Sequence, residues 1–136
     1  MPAIWPTTLD LSTGAVRVRV GDEVDAMVVR AGVGAEIRHQ LVQWMLDAPV
    51  IVAPRPRSRP DDWILLAQPR TPMCAAAIED LAFLGVSFPR PDSTILLPAH
   101  GSTTGHRWLE PPDPDRVPPP WGAVVGAARR TCSRTW

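Results

Sequence analysis

The stretch VIVAPRPRSRPDDWILLA, residues 50–67, decides the fold class. Val50, Ile51 and Val52 form a short β-branched run of the kind that suits a strand. Residues 54–60 (PRPRSRP) carry three prolines in seven positions, and proline neither donates to a sheet ladder nor continues a helix. That segment is therefore a loop. Trp63, Ile64, Leu65, Leu66 and Ala67 follow as a second apolar run. Two apolar strands around a proline loop predict a long β-hairpin.

Working outward, Val16, Val18 and Val20 alternate with Arg17 and Arg19, the period of a half-buried strand. Gly21-Asp22 signals a turn, and residues 24–29 are expected to fold back as the partner strand of a hairpin. Gly32-Val33-Gly34 breaks the extended pattern. From Ala35 onward, Ile37, Leu41, Trp44 and Met45 make an apolar helical stripe, which Asp47-Ala48-Pro49 should end. Thr71 before Pro72 predicts the start of a second helix, with Ala77, Ile78, Leu81, Ala82 and Leu84 inside it and Gly85 as its stop.

Residues 86–88, 94–97 and 107–109 are short extended pieces, and 110–120 is a crossing segment with six prolines in eleven positions. Trp121, Val124 and Val125 then mark the apolar side of a closing helix over 120–130. This order predicts an α+β (mixed α/β) fold, a single small domain with a mixed sheet and two to three helices. The domain is expected over 16–130, with an N-terminal arm at 1–15 and a C-terminal tail at 131–136. No period of the solenoid type repeats along the chain.

A chain of 136 residues that is 45% hydrophobic can bury a core of its own. Fourteen basic and fourteen acidic residues cancel, which argues against a strongly basic coat protein or an acidic tail protein. No apolar run approaches the ~20 residues that span a bilayer, and residues 1–11 lack the pattern of a signal peptide, so no membrane association and a cytoplasmic location are expected. Cys74 and Cys132 do not make a disulfide framework or a zinc site. Every basic residue is arginine, and lysine, asparagine and tyrosine are absent, the mark of a high-GC genome.

Two segments carry candidate phosphate contacts. Arg55, Arg57 and Arg59 alternate along the proline loop, where guanidiniums fan outward in a polyproline-like conformation. The glycine-flanked loop 100–107 offers His100, Thr104, His106 and Arg107, together with backbone donors. A solvated loop in an arginine-only chain explains the same residues, because net charge is zero. Gly101-Ser102-Thr103-Thr104-Gly105 lacks the spacing of a nucleophile elbow. Asp22, Asp25 and Asp92 are the candidate ligands for a divalent cation, against the plain alternative that Asp22 and Asp25 straddle a turn. Trp63, Trp108 and Trp121 are either stacking platforms or core.

The run TILLPAHGSTTGHRW, residues 94–108, followed by the proline-rich stretch and Pro120-Trp121, resembles the end of the bifunctional DNA primase/polymerase (prim-pol) N-terminal domain. Residues 25–34 and 62–69 look like the short, degenerate members of that family common in actinobacteria, and the resemblance covers roughly residues 16–130. Active members use an Asp-x-Asp or Asp-x-Glu pair, a strand histidine and a further aspartate. Here Ile64 stands where the histidine would be and Ser87 about where the aspartate would be, and Glu23-Val24-Asp25, a look-alike of the acidic pair, precedes the wrong strand.

The resemblance thus implies a prim-pol-like scaffold without its set of metal ligands. The expected function is a non-catalytic binding module linked to DNA replication or a mobile element. It would bind single-stranded nucleic acid or nucleotide weakly, through Arg55, Arg57, Arg59, His100, Thr104, His106 and Arg107, or else a protein partner, with no cofactor. One alternative is a diverged nucleotidyltransferase or primase using Mg or Mn on Asp22, Asp25 and Asp92. Another is a protein-interaction subunit that docks through its proline-rich segment, a role an exposed Trp121 or Trp136 would favour.

Overall fold

Strand pairing sorts the apolar runs into two antiparallel sheets rather than one mixed sheet. The computed structural model describes residues 7–9, 16–21, 23–57, 59–98, 105–113 and 115–134. One sheet joins β1 (Thr7–Leu9), β2 (Val16–Arg19) and β6 (Thr94–Leu97) in the order β1-β2-β6. The other joins β3 (Asp25–Arg30), β4 (Val50–Ala53), β5 (Asp62–Ala67) and β7 (Arg107–Glu110) in the order β3-β5-β4-β7. With α1 (Ala31–Gln43), α2 (Ala75–Phe83) and α3 (Trp121–Arg134), the chain is a small α+β domain. The hairpin expected over 50–67 is present as β4 and β5, with Ile51 opposite Ile64.

Alternation along the four-stranded sheet builds two cores. Met27, Val29, Val50, Leu65 and Ala67 point to one face and meet Ile37 and Leu41 of α1, Ala77 and Leu81 of α2, and Trp121, Val124 and Ala128 of α3. Ala26, Ile51, Ile64 and Leu66 point to the other face and meet Val18, Val20 and Ile95 of the three-stranded sheet. The layers therefore run small sheet, large sheet, helices, with α3 packed against both α1 and α2. Each large apolar side chain buried this way contributes ~1.5–3 kcal/mol. Among the described residues, no helix is long and apolar enough to cross a membrane.

The expected ends of the domain shift, since β1 lies inside the expected arm 1–15 and α3 runs past residue 130 to Arg134, and three further local expectations differ from the structure. The strand 16–20 does not form a hairpin with the strand after it. Instead Gly21, at φ 127°, donates to Val24 O at 2.8 Å, and this corner carries the chain from the small sheet into the large one. Val20 and Val24 are both buried between the sheets, so burial rather than the turn signal sets the direction. β2 pairs with β1 and β6. Secondly, α1 begins at Ala31 and runs through both glycines. A Cβ on Gly34 would stand 2.6 Å from Cε3 of Trp63, so the missing side chain lets α1 lie directly on β5. Thirdly, α2 begins after Cys74, not at Pro72, because residues 68–73 are drawn out by contacts that Gln68 and Arg70 make elsewhere.

The two helix ends are built alike but from different residues. After α2, Gly85 (φ 74°) donates to Ala82 O and Val86 donates to Leu81 O, both at 3.0 Å, the paired bonds of a Schellman stop. After α1, Met45 (φ 61°) donates to Val42 O at 2.9 Å and Leu46 to Leu41 O at 2.8 Å. Met45 thus holds a left-handed position that glycine usually fills, and it is 88% exposed. α1 accordingly ends at Gln43, with Trp44 as its C-cap, before the chain reaches the expected break at Asp47-Ala48-Pro49.

Candidate functional site: an arginine-bearing end of the large sheet

The ladder register brings together two segments that are far apart in sequence. Arg30, the last residue of β3, lies opposite Asp62, the first of β5; Ala53, the last of β4, also lies opposite Asp62. Val52 lies opposite Arg107, the first residue of β7. One end of the sheet therefore receives Arg30, the loop after β4 with Arg55, Arg57 and Arg59, and the start of β7 with His106 and Arg107. Five arginines meet two local carboxylates there, Asp61 and Asp62, although the whole chain is neutral.

Local structure keeps these side chains outward. Arg57 sits at φ 63°, which turns the loop sharply enough to expose Arg57 and Arg59 to solvent. Arg55 Nη1 stands 3.9 Å from Asp62 Oδ1, and Arg107 Nη2 stands 3.6 Å from Asp61 Oδ2. Among the described residues, no carboxylate pairs with Arg30, Arg57 or Arg59. The amide of Ala31 donates to Asp61 O at 3.0 Å, tying the start of α1 to the same end, and no acidic residue occupies its first turn. The positive pole of a 13-residue helix therefore adds to the arginines instead of opposing them.

His106 is exposed just before β7; His100 and Thr104 lie outside the described residues. Trp63 and Trp108 flank the site on opposite faces of the sheet, and both are half-buried rather than open platforms. Trp63 lies against Gly34, and Trp108 donates through Nε1 to Pro98 O at 3.2 Å. Trp121 is a core residue, 1% exposed, with its Nε1 unpaired inside the protein.

At the opposite end of β3, Asp25 has a structural partner that the sequence did not announce. Its side chain is 3% exposed, and Arg70 clamps it with Nε to Oδ2 at 2.7 Å and Nη2 to Oδ1 at 2.8 Å. Arg70 also donates to Pro89 O at 2.6 Å and lies over the rings of Phe88 and Trp121, 5.3 and 5.5 Å from their centroids. Both Asp25 oxygens are thus engaged by a guanidinium. Asp92 is in a turn at φ 67°, its side chain 81% exposed and 4.0 Å from Arg19, and Asp22 lies outside the described residues. Among the described residues, no three His, Cys, Asp or Glu side chains gather in a way that would hold a metal ion.

The proline-rich segment is partly packed. Gln68 donates to Pro118 O at 2.8 Å through Nε2 and to Pro119 O at 2.9 Å through its amide, and both prolines are buried. Beside it, a cleft of ≈ 60 Å³ is lined by Asp47, Pro49, Glu110, Pro112, Arg116 and Val117. That is well below the roughly 300–1,000 Å³ of small-molecule sites, and it does not adjoin the arginine end. At the start of α2, exposed Cys74 neighbours Arg129, whose pKa is raised above the ordinary arginine value by its hydrogen bond to Asp80.

Comparison with family models, curated proteins and solved structures finds no match to this chain.

Proposed function

We propose that the chain is a non-catalytic module that binds single-stranded nucleic acid through its phosphates at the arginine-bearing end of the large sheet. The observation that carries this reading is the register that gathers Arg30, Arg55, Arg57, Arg59 and Arg107 around two aspartates at one sheet end. Guanidiniums hold phosphate by paired, charge-assisted hydrogen bonds, and several on one surface track a polyanion rather than a single ion. An exposed sheet end, with no enclosed cavity among the described residues, suits an extended strand better than a small metabolite. The prim-pol-like scaffold and a place in DNA replication or a mobile element belong to the same proposal.

Fluorescence anisotropy with a labelled oligothymidylate, at low and moderate salt, tests it. Binding at low salt that weakens steeply with salt, and that Arg57→Ala with Arg59→Ala removes, supports the reading. No binding at low salt overturns it.

A further inference from the structure

We propose that Asp61 and Asp62 regulate the arginine end by holding Arg107 and Arg55 in competition with ligand phosphate. This rests on the reading above that the end binds single-stranded nucleic acid. The five arginines are not equivalent. Arg30, Arg57 and Arg59 have no carboxylate partner among the described residues, whereas Arg55 and Arg107 each face one.

Both of these ion pairs are loose. Their separations of 3.9 and 3.6 Å exceed the ~2.7–2.9 Å of a charge-assisted hydrogen bond, and the four side chains are 29–40% exposed. Exposed pairs of that kind hold weakly and are screened by salt, so the carboxylate and a ligand phosphate compete for each guanidinium. The backbone that carries both carboxylates is held in place. Asp61 O accepts the Ala31 amide at 3.0 Å, and Asp62 is fixed in the ladder between Arg30 and Ala53. Three guanidiniums are thus open to ligand and two are counter-charged in place, which lowers affinity and makes the site selective for a ligand with phosphates dense enough to compete.

The number of phosphates neutralised is read from the salt dependence of binding, with a slope of about −0.7 per phosphate for a single strand. Three open arginines give a slope near −2, and releasing two more takes it to about −3.5. The experiment is a set of anisotropy titrations of labelled oligothymidylate over a sodium chloride series. It uses the full chain, Asp61→Asn with Asp62→Asn, and a control of equal charge change elsewhere, Glu79→Gln with Asp115→Asn, both at exposed positions. Arg57→Ala with Arg59→Ala is carried alongside.

The aspartate pair variant is expected to bind about tenfold tighter at low salt with the steeper slope, and the control to change far less. Binding by the aspartate variant where the unaltered chain shows none also supports the inference. Equal tightening by variant and control, or an unchanged slope, overturns it while the loss in the arginine variant leaves the binding site standing. An arginine variant that binds as well as the unaltered chain removes the site and the inference together, as does an absence of binding by every form. Should the double variant fail to fold, Asp61→Asn alone releases Arg107 and should give half the slope change.

Discussion

The two ends of the large sheet each present arginine to aspartate, and they hold the pair in opposite environments. At one end Arg70 meets Asp25 with two bonds under 3 Å, beside the Phe88 and Trp121 rings. At the other, Arg55 and Arg107 stand 3.9 and 3.6 Å from their aspartates with solvent around them. The residue types are identical, so the difference lies in desolvation. A buried pair is bound to its geometry because either charge left alone would be costly, whereas an exposed pair is replaceable. Identity of charge says little about role until burial is known.

The largest test of this contrast is Arg70→Ala. It leaves the Asp25 carboxylate buried without its partner, and urea denaturation should show a loss of about 3–5 kcal/mol. For a small domain that is a large share of the whole stability, typically about 5–15 kcal/mol. Replacing both members, Asp25→Leu with Arg70→Met, should recover most of the loss, since a buried pair is often no more stabilising than apolar residues of similar volume. A loss under about 1 kcal/mol for Arg70→Ala would put both ends in the same class.

Next in size is Gly34→Ala, which asks whether the arginine end is loose in its backbone or only in its side chains. An added Cβ would meet Cε3 of Trp63 at 2.6 Å, a contact that forces α1 off β5 or turns the indole. Helix propensity favours alanine by ~1 kcal/mol, but overpacking opposes it with ~1–3 kcal/mol. Destabilisation by denaturation, with a change in Trp63 fluorescence, is expected. A stabilised variant would show that the helix start yields easily, and then Arg30 and the Ala31 bond to Asp61 would not hold a fixed frame.

Much of this architecture was legible in the chain. The proline loop between two apolar runs predicts a hairpin connection, which is present, and Ile37, Leu41, Leu81 and Val124 of the helical stripes are core residues, whereas Trp44, Met45 and Ile78 of the same stripes are exposed. The corner at Gly21 was not legible, because a glycine turn signal is the same whether the next strand returns to its neighbour or crosses to another sheet. The start of α1 is hidden for a related reason: Gly34 is unfavourable for a helix locally, and what admits it is the Trp63 ring from another strand. For the site, the candidate arginines were visible as residue types. That the loop and the start of β7 share one sheet end depends on the pairing of Val52 with Arg107, which no local pattern encodes. The Asp25–Arg70 pair spans 45 positions, so the local sequence around Asp25 carries only the pattern of a turn or metal residue.

The smallest expected effect is the sharpest comparison with Arg70. Arg57 occupies a left-handed conformation at φ 63°, a region that costs a side chain-bearing residue ~1–2 kcal/mol. Glycine relieves that cost but loses ~0.5–1 kcal/mol through the freedom of the unfolded chain. Arg57→Gly should therefore leave stability unchanged or raise it by up to about 1 kcal/mol, while weakening oligothymidylate binding by removing one phosphate contact and reducing the salt slope by about 0.7. One variant would thus move stability and binding in opposite directions, where Arg70→Ala moves stability alone through Asp25. Loss of stability in Arg57→Gly would place Arg57 with Arg70 as a fastener, and the contrast between the two ends would be gone.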